Sequence, residues 1–132
     1  PLPGGQSNEL KLVLNDYFST HGEQASTAQR VEDMIRRLLP TGACTLPRVA
    51  DTLSMTVRTL QAKLDDEQSS FRQILENVRR EIAVFHLRRG DMQLTQLAMV
   101  LGYSELSAFS RSFRNWYGVS PRRWVEKGDW RP

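Results

Sequence analysis

The feature that most constrains this chain is an internal repeat of apolar positions. Leu46, Val49, Ala50, Leu53 and Met55, followed by Leu60 and Leu64, recur as Leu94, Leu97, Ala98, Leu101 and Tyr103, followed by Phe109 and Phe113. The offset is 48 residues up to the turn (46 to 94, 53 to 101) and 49 after it (60 to 109, 64 to 113). The second copy therefore carries one extra residue where its turn enters the next helix. Apolar residues three and four apart mark one face of a helix, so a repeated set of such faces predicts two similar units.

Each copy reads as a short helix, a tight turn and a second helix. In the first, the hydroxyls of Thr45 and Thr56 are placed to cap the two helices. In the second, Gly102 is placed to end one helix in the left-handed conformation, and Ser104 to cap the next. Ala50 and Ala98 fall on inner faces, where a small side chain lets the partner helix cross closely.

Between the copies, SSFRQILENVRREIAVFHLRRG reads as one long helix with Phe71, Ile74, Leu75, Val78, Ile82 and Phe85 on one face. Ser70 and Gln73 form a capping box at its start and Gly90 supplies the stop. A helix of about 18 residues spans about 27 Å, enough to hold two units at a fixed separation. Ahead of the repeat, a helix from about Thr27 to Leu39 should end at Pro40, and Leu10 to Phe18 suggest a shorter amphipathic one. After it, Ser120-Pro121 starts a last short helix. The fold class is all-α: two helix-turn-helix subdomains joined by a long linker helix. The boundaries are a first unit at about 45–67, the linker helix at about 70–89 and a second unit at about 93–117, within a domain over 27–132.

A chain of 132 residues, 39% hydrophobic and 25% charged, is long enough to bury a core. It shows no leader pattern and no apolar run of membrane-crossing length, so a cytoplasmic location without a membrane partner is expected. Cys44 stands alone, cannot form an internal disulfide, and reads as a small buried hydrophobe. The net charge of +3 is uneven. Residues 1–43 hold four basic and five acidic side chains, while 44–132 hold fourteen and ten, which places any anion-binding surface in the second part.

Catalytic constellations are missing from the pattern. There are no acids paired for catalysis and no nucleophile in a sharp turn, and His21, His86 and Cys44 make no metal-ligand spacing, so no catalytic residue, metal or cofactor is expected. Asp65, Asp66 and Glu67 read as a solvated helix end, and His86 as a partly exposed residue near a helix terminus. Phe109, Phe113, Trp116 and Tyr117 follow the buried face and read as core.

A helix-turn-helix unit inserts its second helix into the DNA major groove amino end first, so side chains in the first two turns reach base edges. In the first unit this selects Arg58 and Gln61, with Val57 and Ala62 beside them, while Leu60 and Leu64 face inward. Arg58 suits guanine and Gln61 adenine. In the second unit the outward residues are Leu106, Ser107, Ser110 and Arg111; Arg111 suits guanine and Leu106 a thymine methyl. Thr45, Arg114, Arg122 and Arg123 are candidates for phosphate contacts.

The segment LGYSELSAFSRSFRNWYGVSPRRW resembles the second-unit signature of the AraC/XylS family of transcription regulators. VADTLSMTVRTLQAKL with SSFRQILENVRREIA is similar to that family's first unit and linker helix, so the resemblance spans about residues 27–126. It implies two helix-turn-helix subdomains that bind double-stranded DNA in successive major grooves and regulate transcription. The family's base-reading positions fall on Arg58, Gln61 and Ala62, and on Leu106, Ser107, Ser110 and Arg111. Ala62 departs from the pattern, because many members carry arginine there.

Residues 1–26, opening on PLPGGQSN, then read as a linker and the tail of an amino-terminal sensing domain. The resemblance further implies RNA polymerase as a partner of the full-length regulator and a small-molecule effector bound by the other domain, with this module monomeric. Two other functions stay open from the residues: a helical protein-interaction module, and part of a DNA-repair alkyl acceptor with Cys44 as the acceptor.

Overall fold

The computed structural model describes residues 25–128. Within them the chain forms α1 (Thr27–Leu38), a 3-10 turn (Leu39–Thr41), α2 (Leu46–Thr52), α3 (Val57–Asp66), α4 (Phe71–Arg89), α5 (Leu94–Val100), α6 (Leu106–Tyr117) and α7 (Pro121–Lys127). No strand occurs among the described residues, so the all-helical expectation holds. None of these helices is long and apolar enough to cross a membrane. The helix expected over Leu10 to Phe18 and most of the amino-terminal linker lie outside the described residues.

The described chain packs as two units. One holds residues 25–35 and Thr45–Ile74, and the other Arg36–Cys44 and 75–128. Nothing in the repeat shows that 36–44 pack with the second unit. The cause is Leu39, which is buried and lies against the turn of the second copy: a methyl group built on Gly102 would stand 3.3 Å from Leu39 Cδ1.

In the first unit, Val49, Ala50, Leu53, Leu60 and Leu64 are buried, together with Val31, Met34 and Ile35 from α1. Thr45 caps α2 by accepting from the Arg48 N–H at 3.3 Å, and Thr56 caps α3 by accepting from the Thr59 N–H at 3.1 Å. Between them α2 closes on Ser54, whose φ of +59° is left-handed. Ser54 N–H donates to Asp51 O and Met55 N–H to Ala50 O, both at 2.9 Å, which is the paired closure of a Schellman motif.

The same closure recurs in the second unit with glycine in the left-handed place. Gly102 has φ +84°, its N–H donates to Met99 O at 2.9 Å, and Tyr103 N–H donates to Ala98 O at 3.0 Å. Around it, Ala83, Leu87, Leu97, Ala98, Leu101, Phe109 and Phe113 form one buried cluster. Phe113 is its hub, with ring centroids 6.0 Å from Phe109, 4.9 Å from Tyr117 and 5.8 Å from Trp124. The aromatic run is core at Phe109 and Phe113; Trp116 is half-buried, and Tyr117 covers the cluster's edge while remaining exposed.

Two local expectations are corrected. Ser104 does not cap α6: the residue before the helix is Glu105, and no side chain caps it. The extra residue of the second copy moves the helix start by one, so Glu105 occupies the place that Thr56 holds in the first. Nor does α4 bury a single face. Ile74 and Val78 are buried near its start, but Ala83 and Leu87 are buried near its end. At about 100° per residue these last lie roughly 140° and 180° around the helix from Val78. Phe85, in line with Val78, is therefore left 54% exposed, its ring flanked by His86 and by the Arg89 guanidinium.

The ends of α4 follow the sequence closely. Ser70 Oγ accepts from the Gln73 N–H at 3.1 Å, and Gly90, with φ +63°, donates to His86 O at 2.9 Å. His86 Nδ1 then meets Asp91 Oδ1 at 3.0 Å, and Arg89 reaches the same carboxylate at 3.0 Å. The hydrogen bond with His86 leads in holding the Asp91 carboxyl below its ordinary range, with Arg89 adding to it against desolvation.

Candidate nucleic-acid interface

Burial of Leu60 and Leu64 fixes the rotation of α3 about its axis and decides what faces outward. Arg58, Gln61 and Ala62 are all exposed, and positions 58, 61, 62 and 65 form one stripe at three- and four-residue spacing. In α6, burial of Phe109 and Phe113 does the same, and turns out 107, 110, 111 and 114. Ser107, Arg111 and Arg114 are exposed there, and Ser110 is half-buried. Leu106 opens α6 half-buried and packed against the second unit's core, so part of its side chain is already engaged.

The polar groups on the α6 stripe are partly prearranged. Ser107 Oγ donates to Glu105 Oε2 at 3.2 Å, which leaves the hydroxyl oxygen to accept from a ligand. Arg122 and Arg123 are exposed in the first turn of α7, which starts where Ser120 Oγ accepts from the Arg123 N–H at 3.2 Å. Thr45 is exposed at the start of α2, its hydroxyl oxygen serving as the cap described above. The structure thus brings Leu106, Ser107, Ser110 and Arg111 together on α6 with Arg114, and Arg58 with Gln61 on α3.

The two stripes carry different charge. With Leu60 matched to Phe109 and Leu64 to Phe113, Arg58 corresponds to Ser107, Gln61 to Ser110, Ala62 to Arg111 and Asp65 to Arg114. The α3 stripe holds one arginine and one aspartate, whereas the α6 stripe holds two arginines. Over 44–68 the first unit has three basic and four acidic side chains; over 91–123 the second has four arginines against Asp91 and Glu105.

Two residues that shape these elements carry no signal in the sequence. Glu67 reads there as a solvated acid, yet its carboxylate accepts from the backbone N–H groups of Thr27 at 2.9 Å and Ala28 at 2.8 Å. With Ser26 Oγ accepting from the Gln29 N–H at 3.1 Å, the first three free N–H groups of α1 all find acceptors. Desolvation pushes the Glu67 carboxyl up, but the hydrogen bonds from Ala28 and Thr27 outweigh it and bring the net value below the ordinary range. Arg79 is the other. Its Nε donates to Leu101 O at 2.7 Å and its guanidinium lies 4.2 Å from the Tyr103 ring centre, so it braces the turn of the second unit.

Cys44 is half-buried, and burial pushes its thiol pKa up despite the nearby Arg79 charge. An acceptor cysteine needs the opposite shift, toward thiolate at neutral pH.

The comparisons with known proteins agree with this geometry. A family model described as a helix-turn-helix domain matches residues 49–127. The chain is 39% identical over 122 residues to the HTH-type transcriptional regulator VirS of Mycobacterium tuberculosis, covering 91% of this chain and 36% of VirS. It is 32% identical over 116 residues to the HTH-type transcriptional activator CfaD of Escherichia coli, covering 88% of this chain and 42% of CfaD. Among solved structures, a DNA-binding transcriptional dual regulator from Escherichia coli K-12 matches with a TM-score of 0.73 and 29% identity, covering 83% of this chain and 97% of that one. The chain spans only about a third of VirS, whose remaining length has no counterpart in these residues. Over the part it does span, the doubled unit, the linker helix and the matched family model place it together: the chain belongs to the AraC-type helix-turn-helix family.

Proposed function

We propose that this chain is the sequence-specific DNA-binding module of a transcription regulator, reading duplex DNA through α3 and α6. The observation that carries the reading is the pair of outward stripes, each set on a helix whose opposite face is buried in a core. In this reading Arg58 and Gln61 contact base edges from the first unit. Leu106, Ser107, Ser110 and Arg111 do so from the second. Thr45, Arg114, Arg122 and Arg123 engage phosphates and set the register of the protein on the duplex.

A bidentate arginine on guanine contributes about 1–3 kcal/mol of discrimination, and each phosphate contact contributes affinity without sequence preference. The second unit, richer in arginine, supplies more of the salt-dependent binding. We assign the module no catalytic step. The regulator works in the cytoplasm, where this module binds as a monomer, RNA polymerase is the partner of the full-length protein, and a small-molecule effector acts through the other domain. The standing of VirS and CfaD as transcriptional regulators supports this reading.

Selection from a random duplex pool tests it. Two short enriched boxes at a fixed spacing are expected. Absence of any enrichment would remove the DNA-reading function and favour a protein-interaction role for the same helices.

A further inference from the structure

The stripe on α3 ends in a residue that fits neither helix stability nor DNA attraction. Asp65 stands at the position that Arg114 holds in the second unit. It is exposed, and its carboxylate makes no hydrogen bond or ion pair among the described residues. It lies in the last turn of α3, where the carbonyl end of the helix dipole disfavours an acid. Asp65 also lines the same shallow groove as Gln61, Ala62 and Arg72, so its carboxylate borders the surface that holds the base-reading residues.

We infer that Asp65 is an affinity-limiting residue of the DNA interface: its carboxylate opposes the backbone phosphate that Arg114 attracts in the second unit. This rests on the DNA-binding reading of α3 and α6. Beside the neutral contact at Thr45, the first unit then contributes chiefly through Arg58 and Gln61, where the bases match, because Asp65 opposes the phosphate at the end of its stripe. Most sequence-independent attachment then falls to Arg114, Arg122 and Arg123 of the second unit. A chain built this way releases non-matching DNA at the first unit without losing its hold through the second.

The size of the effect comes from Coulomb's law. Two unit charges about 6 Å apart in water repel enough to change affinity by about threefold, and salt reduces this. Replacement by arginine adds attraction and one neutralised phosphate, which steepens the salt dependence by about 0.9 log units per log of salt.

The test uses the duplex enriched from the random pool and compares the unaltered chain with Asp65→Asn, Asp65→Arg and Asp66→Asn. Asp66 is also exposed but does not line that groove; it stands about 100° around α3 from Asp65, in register with Asn115. Asp65→Asn is expected to bind about threefold tighter at about 0.1 M salt, Asp65→Arg about tenfold tighter with the steeper slope, and Asp66→Asn within about twofold of the unaltered chain. Far-UV circular dichroism checks that each variant keeps its helices. Unchanged affinity in both Asp65 variants overturns the inference while the DNA reading stands. So does an equal gain from Asp66→Asn, since net charge alone would then explain it. An unaltered chain that binds no duplex overturns the DNA reading first and this inference with it.

Discussion

Replacing Glu67 should loosen the start of α1, some forty positions away in sequence. The carboxylate accepts two backbone N–H groups, at 2.9 Å from Thr27 and 2.8 Å from Ala28. Loss of a capping acceptor costs about 1 kcal/mol, and a negative charge at a helix amino end adds about 0.3–1 kcal/mol. Glu67 is exposed, so solvent screens the charge part and the lower end of that range applies. Glu67→Ala should therefore cost about 1–1.5 kcal/mol and Glu67→Gln, which keeps one acceptor oxygen, about half of that. For a domain of about 100 residues this is a fall of several degrees in Tm.

The pH dependence carries a definite sign. The native Glu67 carboxyl has a lowered pKa, so the native state holds its proton less tightly than the unfolded chain does. Its stabilisation is complete above the unfolded glutamate range, centred at about pH 4.3, and is lost as pH falls through the lower native value. Urea denaturation followed by circular dichroism at pH 7 and again well below that range measures both terms. The gap between the unaltered chain and Glu67→Gln should be open at pH 7 and closed in acid. Equal stability at pH 7, or a gap that persists unchanged in acid, would refute the capping role.

Two further perturbations separate packing from backbone geometry. Phe113→Ala removes the hub of the second unit's aromatic cluster, and should cost about 3–5 kcal/mol by denaturation, with loss of near-ultraviolet dichroism from Trp124 and Tyr117. Gly102→Ala forces a side chain into φ +84° and sets its Cβ 3.3 Å from both Arg79 and Leu39, whereas Gly42, at φ +78°, has nothing within 4 Å. Gly102→Ala should cost about 1–2 kcal/mol from the backbone alone and more from the contacts, and Gly42→Ala only the backbone part; equal losses would show that the contacts do not matter.

Local features of this fold are legible in its sequence. Thr45, Thr56, Ser70 and Ser120 all cap the helices they precede, because a cap acts across three residues and leaves its mark at that spacing. The apolar repeat likewise marks Val49, Ala50, Leu60 and Leu64 in one unit, and Leu97, Ala98, Phe109 and Phe113 in the other. Long-range bonds leave no such mark. Glu67 on α1 and Arg79 on the Leu101 carbonyl pair groups 40 and 22 positions apart, and no spacing rule announces either. Phe85 breaks its expected place for a related reason, since a helix that buries one face early and another late has no single period. For the candidate interface, the outward stripes are readable once the inward faces are known. The correspondence of Asp65 with Arg114 follows from the 49-residue offset that the apolar repeat already shows after the turn.

The central claim is that both units read DNA and do so unequally. It is tested most directly by the affinity of Arg58→Ala and Arg111→Ala for the enriched duplex over a range of salt. Each variant should bind less tightly, by about fivefold or more where a guanine contact is lost, with Arg111→Ala weaker than Arg58→Ala at every salt concentration. Losses in the opposite order, or no change for either, would contradict the account.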